Sequence, residues 1–292
     1  MFSTTQLHAL AAVLRTGSFE GAAHDLGLTQ SAISQRIRAL EDRAGAVLIV
    51  RETPCRATET GQRLCRHYEE IALLDRQLAR DLGDRHGPRT ALRIAVNADS
   101  LATWILPALV ATDDFLFEVE IVDQDHSANL LREGKVIAAI TGHPGPVQGC
   151  DTLPLGKLRY LAVATPEFAA RWFPDGLTPA ALSEAPALVF SEKDRLQTDW
   201  AAELTGRRVR LPAHLLPSST AFVEAALLGL GWGMNPEALV ADHVAAGRLV
   251  TLAPKAPLDT ALYWISARVG RGALADLNRA IREAARAALR PA

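Results

Sequence analysis

The sequence predicts an α/β protein that carries an all-α winged helix-turn-helix at its N-terminus, then a long linker helix and a two-lobed α/β domain. Three observations predict it. Residues 17–41, GSFEGAAHDLGLTQSAISQRIRALE, hold two apolar-striped helical segments joined only by Leu26-Gly27-Leu28. Residues 58–83 keep a mostly 3- and 4-residue apolar spacing without a proline. From residue 90 onward, short apolar strands alternate with amphipathic helices.

The N-terminal unit begins with a helix over residues 4–15 that turns Leu7, Leu10, Ala11 and Leu14 inward. Ser18 is a good N-cap and Glu20 suits a first turn, so a second helix starts there. Phe19, Ala22, Ala23 and Leu26 then share one face. Gly27 ends that helix, Thr29 caps the next, and Ile33, Ile37 and Leu40 form its buried stripe. Two helices around a tight glycine turn make a helix-turn-helix.

Opposite the stripe of the third helix lie Ser31, Ser34, Gln35 and Arg38, with Gln30 at the exposed first turn. No carboxylate interrupts this face before Glu41. Such a face can lie against phosphates without repulsion, and Ser, Gln and Arg can read base edges in a major groove. Thr29 and Arg36 complete the candidate DNA contacts on this helix. After Gly45, AVLIVRETPCRAT reads as a strand, a turn at Pro54 and a return strand, a wing that offers Arg51 and Arg56 to the backbone or minor groove.

The chain has 292 residues, 49% of them hydrophobic, enough for two or three domains with sizeable cores. Its net charge is only −2, which excludes an electrostatic coat for DNA. Residues 1–66 hold 8 Arg against 6 Asp and Glu, a net +2, leaving −4 for the rest. Cys55, Cys65 and Cys150 are scattered without zinc spacing, so neither a structural metal nor a cofactor is expected. The apolar run LHALAAVL lacks a basic segment before it, and no stretch reaches the ~18 apolar residues of a membrane span. A cytoplasmic protein without membrane contact is the expectation.

In the linker helix, Leu64, Tyr68, Ile71, Leu74, Leu78 and Leu82 form a stripe too long for the N-terminal unit to bury, so pairing with a second copy is expected. Asp75 interrupts a strict heptad. GDRHGPRT, residues 83–90, is a linker broken at Gly87-Pro88. The expected domains are residues 1–60, the helix over 58–86, and 90–292. Strands near 161–166 and 261–267 cross between lobe I, about 90–163 and 266–292, and lobe II, about 164–265, leaving a hinged cleft. A last amphipathic helix is expected over about 271–290.

Together these features resemble the LysR-type transcriptional regulators over essentially the whole chain. Within the N-terminal unit the resemblance rests on residues 17–41, VLIVR and TETGQ. Beyond it, VNADSLATW, VDQDHSANLLREG and GLGWGMNPE resemble the lysine- and arginine-responsive ArgP/LysG branch. The resemblance implies a periplasmic-binding-protein-like effector domain and a homodimer or homotetramer on a double-stranded DNA operator. RNA polymerase is a further implied partner. It also implies a basic amino acid (lysine, arginine or histidine) as effector and an amino-acid exporter gene as target. Ile49 departs from the phenylalanine usual in the wing, and the wing is short.

The residues themselves suggest how the cleft reads such an effector. NADS and PSSTAF bring Asn97, Ser100, Ser218 and Ser219 to helix starts, which suit a carboxylate. Asp99, Asp123 and Asp125 at strand ends offer acceptors for cationic groups, and Trp232 and Tyr263 offer cation–π faces. GLGWG lacks dinucleotide-loop spacing. An enzyme in the cleft lacks support, since no GxSxG elbow, Walker A sequence or metal cluster is present. The helix-turn-helix argues against a transport-type solute receptor. A regulator with a different effector and a weakly specific nucleoid-type DNA binder are the competing readings.

Overall fold

The computed structural model describes residues 2–83, 89–122 and 127–291. The N-terminal unit consists of α1 (Thr4–Thr16), α2 (Phe19–Asp25) and α3 (Gln30–Ala44). Ser18 accepts from Gly21 N at 2.9 Å and Thr29 from Ala32 N at 3.2 Å, so both expected caps form. Gly27 turns between them at φ +62°, a conformation that side chains with a Cβ disfavour. Leu7, Leu10, Val13, Ala22, Ala23, Ile33, Ile37 and Leu40 form the core. On α1 the inner stripe is therefore Leu7, Leu10 and Val13; Ala11 and Leu14 are only half-buried.

The wing is β1 (Ile49–Val50) paired antiparallel with β2 (Arg56–Ala57). It leads into α4 (Glu59–Asp81), the linker helix. Thr58 joins the two: its hydroxyl donates to Val47 O at 2.8 Å and accepts from Gly61 N at 3.1 Å. Gly61 is required by close approach, because a Cβ there would lie 2.1 Å from the Leu48 carbonyl oxygen. Two elements of the TETGQ motif thus weld the wing to the helix.

The stripe of α4 is divided. Leu64, Tyr68 and Ile71 pack on the N-terminal core, and Leu73 enters the core of the following domain. Arg76 pairs with Asp114, and Arg93 bridges Glu69 (3.7 Å) and Glu118 (3.1 Å). Leu74, Leu78 and Leu82 remain exposed at 50, 58 and 79%. Packing within the chain therefore accounts for the first half of the stripe, and only the second half is left to face a second copy.

The α/β domain opens with β3 (Thr90–Val96), α5 (Ala98–Thr103), α6 (Leu106–Val110), β4 (Phe115–Ile121), α7 (Ser127–Arg132) and β5 (Ala138–Thr141). β6 (Cys150–Ala164) follows, then α8 (Pro166–Trp172), α9 (Pro179–Glu184), β7 (Ala187–Val189), α10 (Leu196–Thr205) and β8 (Ala213–Leu215). α11 (Ser219–Leu227), β9 (Gly233–Pro236), α12 (Glu237–Ala245), β10 (Val250–Thr251), β11 (Leu258–Ala267) and α13 (Ala275–Ala288) complete it. One sheet runs in the order β10-β6-β11-β5-β3-β4, with β9 also on β6.

The crossing strands are longer than expected and pair with each other. β6 and β11 run antiparallel from Leu258↔Tyr160 to Ala267↔Cys150, with a register shift at Leu262/Tyr263. At one end they join parallel β5-β3-β4; at the other, β6 carries β9 and β10. This leaves a cleft between α5, on the first lobe, and α10, α11 and β9, on the second.

Candidate functional site: a polar helix face and an interlobe cleft

On the N-terminal unit, burying Ile33, Ile37 and Leu40 turns the opposite side of α3 outward. Thr29, Gln30, Ser31, Gln35 and Arg38 are exposed; Ser34 and Arg36 are half-exposed. The Thr29 and Ser31 hydroxyls lie 2.9 Å apart. Arg51 and Arg56 are exposed on the wing, and the Arg51 guanidinium sits 4.9 Å from the centre of the Phe19 ring at the start of α2. A cation–π contact of this kind restrains a long side chain without neutralising it.

The cleft encloses a cavity of about 420 Å³. Asn97, Ala98 and Asp99 form its first wall, Tyr160, Leu258 and Thr260 its hinge, and Gln197, Ser219, Phe222 and Asn235 part of the second wall. Asp99 is the centre of the arrangement. Its Oδ2 accepts from the Tyr160 hydroxyl and its Oδ1 from the Ser219 hydroxyl, each at 2.7 Å. Burial pushes the Asp99 carboxyl above the ordinary carboxylate range, an effect that the hydrogen bonds from Ser219 and Tyr160 partly offset. Burial, reinforced by Asp99, pushes the Tyr160 phenol well above its ordinary value, so it stays a donor. Among the described residues Asp99 forms no ion pair.

Asn97, Gln197 and Asn235, which border this cavity, each keep a carboxamide oxygen buried without a hydrogen-bond partner: Asn97 Oδ1, Gln197 Oε1 and Asn235 Oδ1. Nearby carboxylates are engaged. Asp194 accepts from Phe190 N at 3.0 Å and Leu196 N at 2.9 Å, and Asp199 pairs with Arg195 at 3.1 Å.

The expected site residues are placed unequally. Asn97, Asp99 and Ser219 come together in the cavity. Ser100 does not line it: one residue further round α5 rotates its side chain by about 100° into the core, where its hydroxyl is fully buried. Ser218 lies outside the cavity lining and caps α11, accepting from Ala221 N at 3.3 Å. Trp232 is a core residue against Trp200, ring centres 5.4 Å apart, because so large an apolar surface is best removed from water. Tyr263 pairs in register with Thr141 and Pro154, toward the first lobe, while β11 reaches the cavity through Leu258 and Thr260. Asp123 and Asp125 lie outside the described residues.

Sequence reasoning does not find Tyr160, Asp194, Gln197 or Asn235. Tyr160 lies in LRYLAVAT, whose pattern speaks only of a strand, and Asn235 sits in GLGWGMNPE, whose glycine spacing points to no nucleotide loop. Gln197 stands at the start of an expected helix. Asn235 alone carried a readable signal: a polar residue within an apolar strand needs a partner.

Among the described residues, no cluster of His, Cys, Asp and Glu is grouped to hold a metal ion, and no helix is long and apolar enough to cross a membrane. Residues 4–62 match the bacterial regulatory helix-turn-helix protein, lysR family, and residues 85–287 match the LysR substrate binding domain. The chain is 44% identical over 281 residues to the HTH-type transcriptional regulator LysG of Mycobacterium tuberculosis, covering 96% of this chain and 92% of the relative. It is 43% identical over 283 residues to the HTH-type transcriptional regulator ArgP of Pseudomonas aeruginosa, covering 95% and 94%. The crystal structure of ArgP from Mycobacterium tuberculosis aligns at TM-score 0.83 with 43% identity over 98% of each chain. Full-length LysG from Corynebacterium glutamicum with bound effector Arg aligns at TM-score 0.70 with 35% identity, covering 99% of this chain and 100% of that one. The helix-turn-helix, the linker helix and the cleft-bearing domain thus recur together along the full length of these relatives, and the chain belongs to the LysR-type DNA-binding transcriptional regulators.

Proposed function

We propose that this regulator senses a basic amino acid in the interlobe cleft and, as a homodimer or homotetramer, presents α3 to the major groove of its operator. The observation that carries the effector assignment is Asp99. It is a buried carboxylate held by two neutral donors, facing a cavity, with no cation paired to it among the described residues. Burying an uncompensated carboxylate is costly, and the side-chain ammonium or guanidinium of a basic amino acid would relieve that cost. The arginine bound to LysG from Corynebacterium glutamicum supports the same class.

The contacts proposed with DNA are Thr29, Gln30, Ser31, Ser34, Gln35, Arg36 and Arg38 on α3, with Arg51 and Arg56 on the wing. RNA polymerase and an amino-acid exporter gene are the proposed partner and target. A ligand signals by favouring one cleft geometry over another, and Asp99 links both lobes, so its neutralisation alters their contact. Calorimetry on the full chain tests the effector with lysine, arginine and histidine against norleucine, which keeps lysine's chain without its side-chain cation. At least one basic amino acid should bind and norleucine should not; equal binding of norleucine, or no binding by any basic amino acid, overturns the assignment.

A further inference from the structure

Resting on the proposed DNA contact of Arg51, we infer that Phe19 is a positioning residue for operator binding: its ring holds the Arg51 guanidinium ready for the phosphate backbone. The guanidinium carbon lies 4.9 Å from the ring centre. Phe19 is half-buried and packs against the N-terminal core, which anchors the ring, while Arg51 is exposed. The wing that carries Arg51 is itself seated on the turn that precedes Phe19. Cys55 N donates to Gly17 O at 2.8 Å, and the Cys55 side chain packs on the N-terminal core. Gly17 turns at φ +72°, and a Cβ there would lie 2.8 Å from Pro54 Cβ, so the tip of the wing rests on bare backbone. At the base of the wing, Leu48 N donates to Glu41 Oε1 on α3 at 2.9 Å. The wing is thus pinned at both ends, and Arg51 is held over the ring by a fixed scaffold.

An aromatic face suits this task better than a carboxylate. Elsewhere in the unit Arg15 pairs with Asp25 at 2.5 Å, which neutralises both groups. Arg51 forms no ion pair among the described residues, although Glu20 and Glu52 adjoin Phe19 and Arg51 in sequence. A guanidinium over a ring keeps its full charge, and its in-plane N–H donors stay free for phosphate oxygens. An unrestrained arginine gives up rotamer freedom when it meets DNA; one already held against Phe19 has lost part of it beforehand. The contact adds affinity by preorganisation and carries no base information.

The test is a double-mutant cycle on the full chain: Phe19→Leu, Arg51→Gln and both together, with Phe19→Tyr as the conservative variant. Fluorescence anisotropy over a series of salt concentrations measures binding to two duplexes, one enriched by the parent from a random library and one unselected and of mixed sequence. Thermal melting verifies folding, and Phe19→Met replaces Phe19→Leu if that variant is unfolded. Arg51→Gln should lower the salt slope by about one contact. Phe19→Leu should weaken binding to both duplexes about two- to fivefold with the slope kept, because the charge remains and only its restraint is lost. Phe19→Tyr should bind as the parent does, and Phe19→Leu should have little further effect in the Arg51→Gln background. An equal loss from Phe19→Leu in both backgrounds would show that Phe19 only packs the core; that result, or unchanged affinity in Phe19→Leu, overturns the inference. Parental affinity and salt slope in Arg51→Gln overturn the DNA contact itself.

Discussion

Ser219 on the second lobe donates a 2.7 Å hydrogen bond to Asp99 on the first, so the carboxylate proposed to receive the effector also ties the lobes together. Two groups that local sequence suggests for separate tasks, one for a carboxylate and one for a cation, are partners. The lobes meet through this contact, and a cation reaching Asp99 would share the same carboxylate with Ser219.

Asp99→Asn should keep the fold and lower affinity for the basic effector by about tenfold or more, ~1.4 kcal/mol. The pH dependence has a definite sign. Burial raises the Asp99 carboxyl, so its contribution to stability is fully present below the ordinary carboxylate value and is lost as pH rises through the raised one. A bound cation favours the ionised form. Effector affinity should therefore fall on acidification through the raised value, and binding there should release protons. Calorimetry in buffers of different ionisation enthalpy measures this; a flat profile in the parent, or equal affinity in Asp99→Asn, contradicts the role.

On α3, Ser34→Ala and Gln35→Ala should each lose discrimination at particular operator positions, about 1–3 kcal/mol for a good base contact. Arg51→Ala should weaken binding to every sequence and flatten the salt dependence, because a phosphate contact carries no base information. Gel-shift titrations over operator variants and salt concentrations separate the two patterns. If all three substitutions behaved alike, the division between base reading and backbone contact would be wrong.

Gly61→Ala should damage the N-terminal unit although only a methyl is added. The new Cβ would meet the Leu48 carbonyl oxygen, a backbone atom that cannot swing aside. Overpacking costs about 1–3 kcal/mol, and here the wing must shift to relieve it. Reduced operator affinity with a lowered melting transition is expected; wild-type values in both would show that the wing and helix slide freely.

Along α4, substitutions one residue apart should have different consequences. Leu73→Ala opens a cavity in the α/β core and should cost about 2–5 kcal/mol of stability. Leu74→Glu and Leu78→Glu alter exposed positions, so the single chain should stay folded while the dimer is lost. Light scattering and chemical denaturation distinguish these outcomes. A Leu74→Glu, Leu78→Glu double variant of unchanged mass would place the contact between copies elsewhere. Ile71, which packs on the N-terminal core, is a poor probe of assembly because its replacement disturbs the chain itself.

Much of the N-terminal unit was determined by local sequence alone. Helix periodicity, the Ser18 and Thr29 caps and Gly27 act over a few residues, so spacing suffices to locate α1, α2 and α3 and to say which face of α3 is left outward. Most strands of the α/β domain were legible for the same reason, but β9, β10 and the first half of β6 were not. Thr165-Pro166 and Thr178-Pro179 also carried readable signals for α8 and α9, because threonine caps and proline suits the first helical turn. The rest depends on which distant residues meet, and local spacing does not encode that. Apolar spacing could show that α4 has a stripe, but not that Leu73 enters the next domain while Leu74 faces solvent. Serines at two helix starts were visible, yet a rotation of about 100° per residue separates Ser100 in the core from Asp99 in the cavity. Tyr160, Gln197 and Asn235 belong to segments whose local pattern is satisfied by strand and helix formation. They meet only when β6, α10 and β9 are brought against α5, around the cavity that Asp99 also lines.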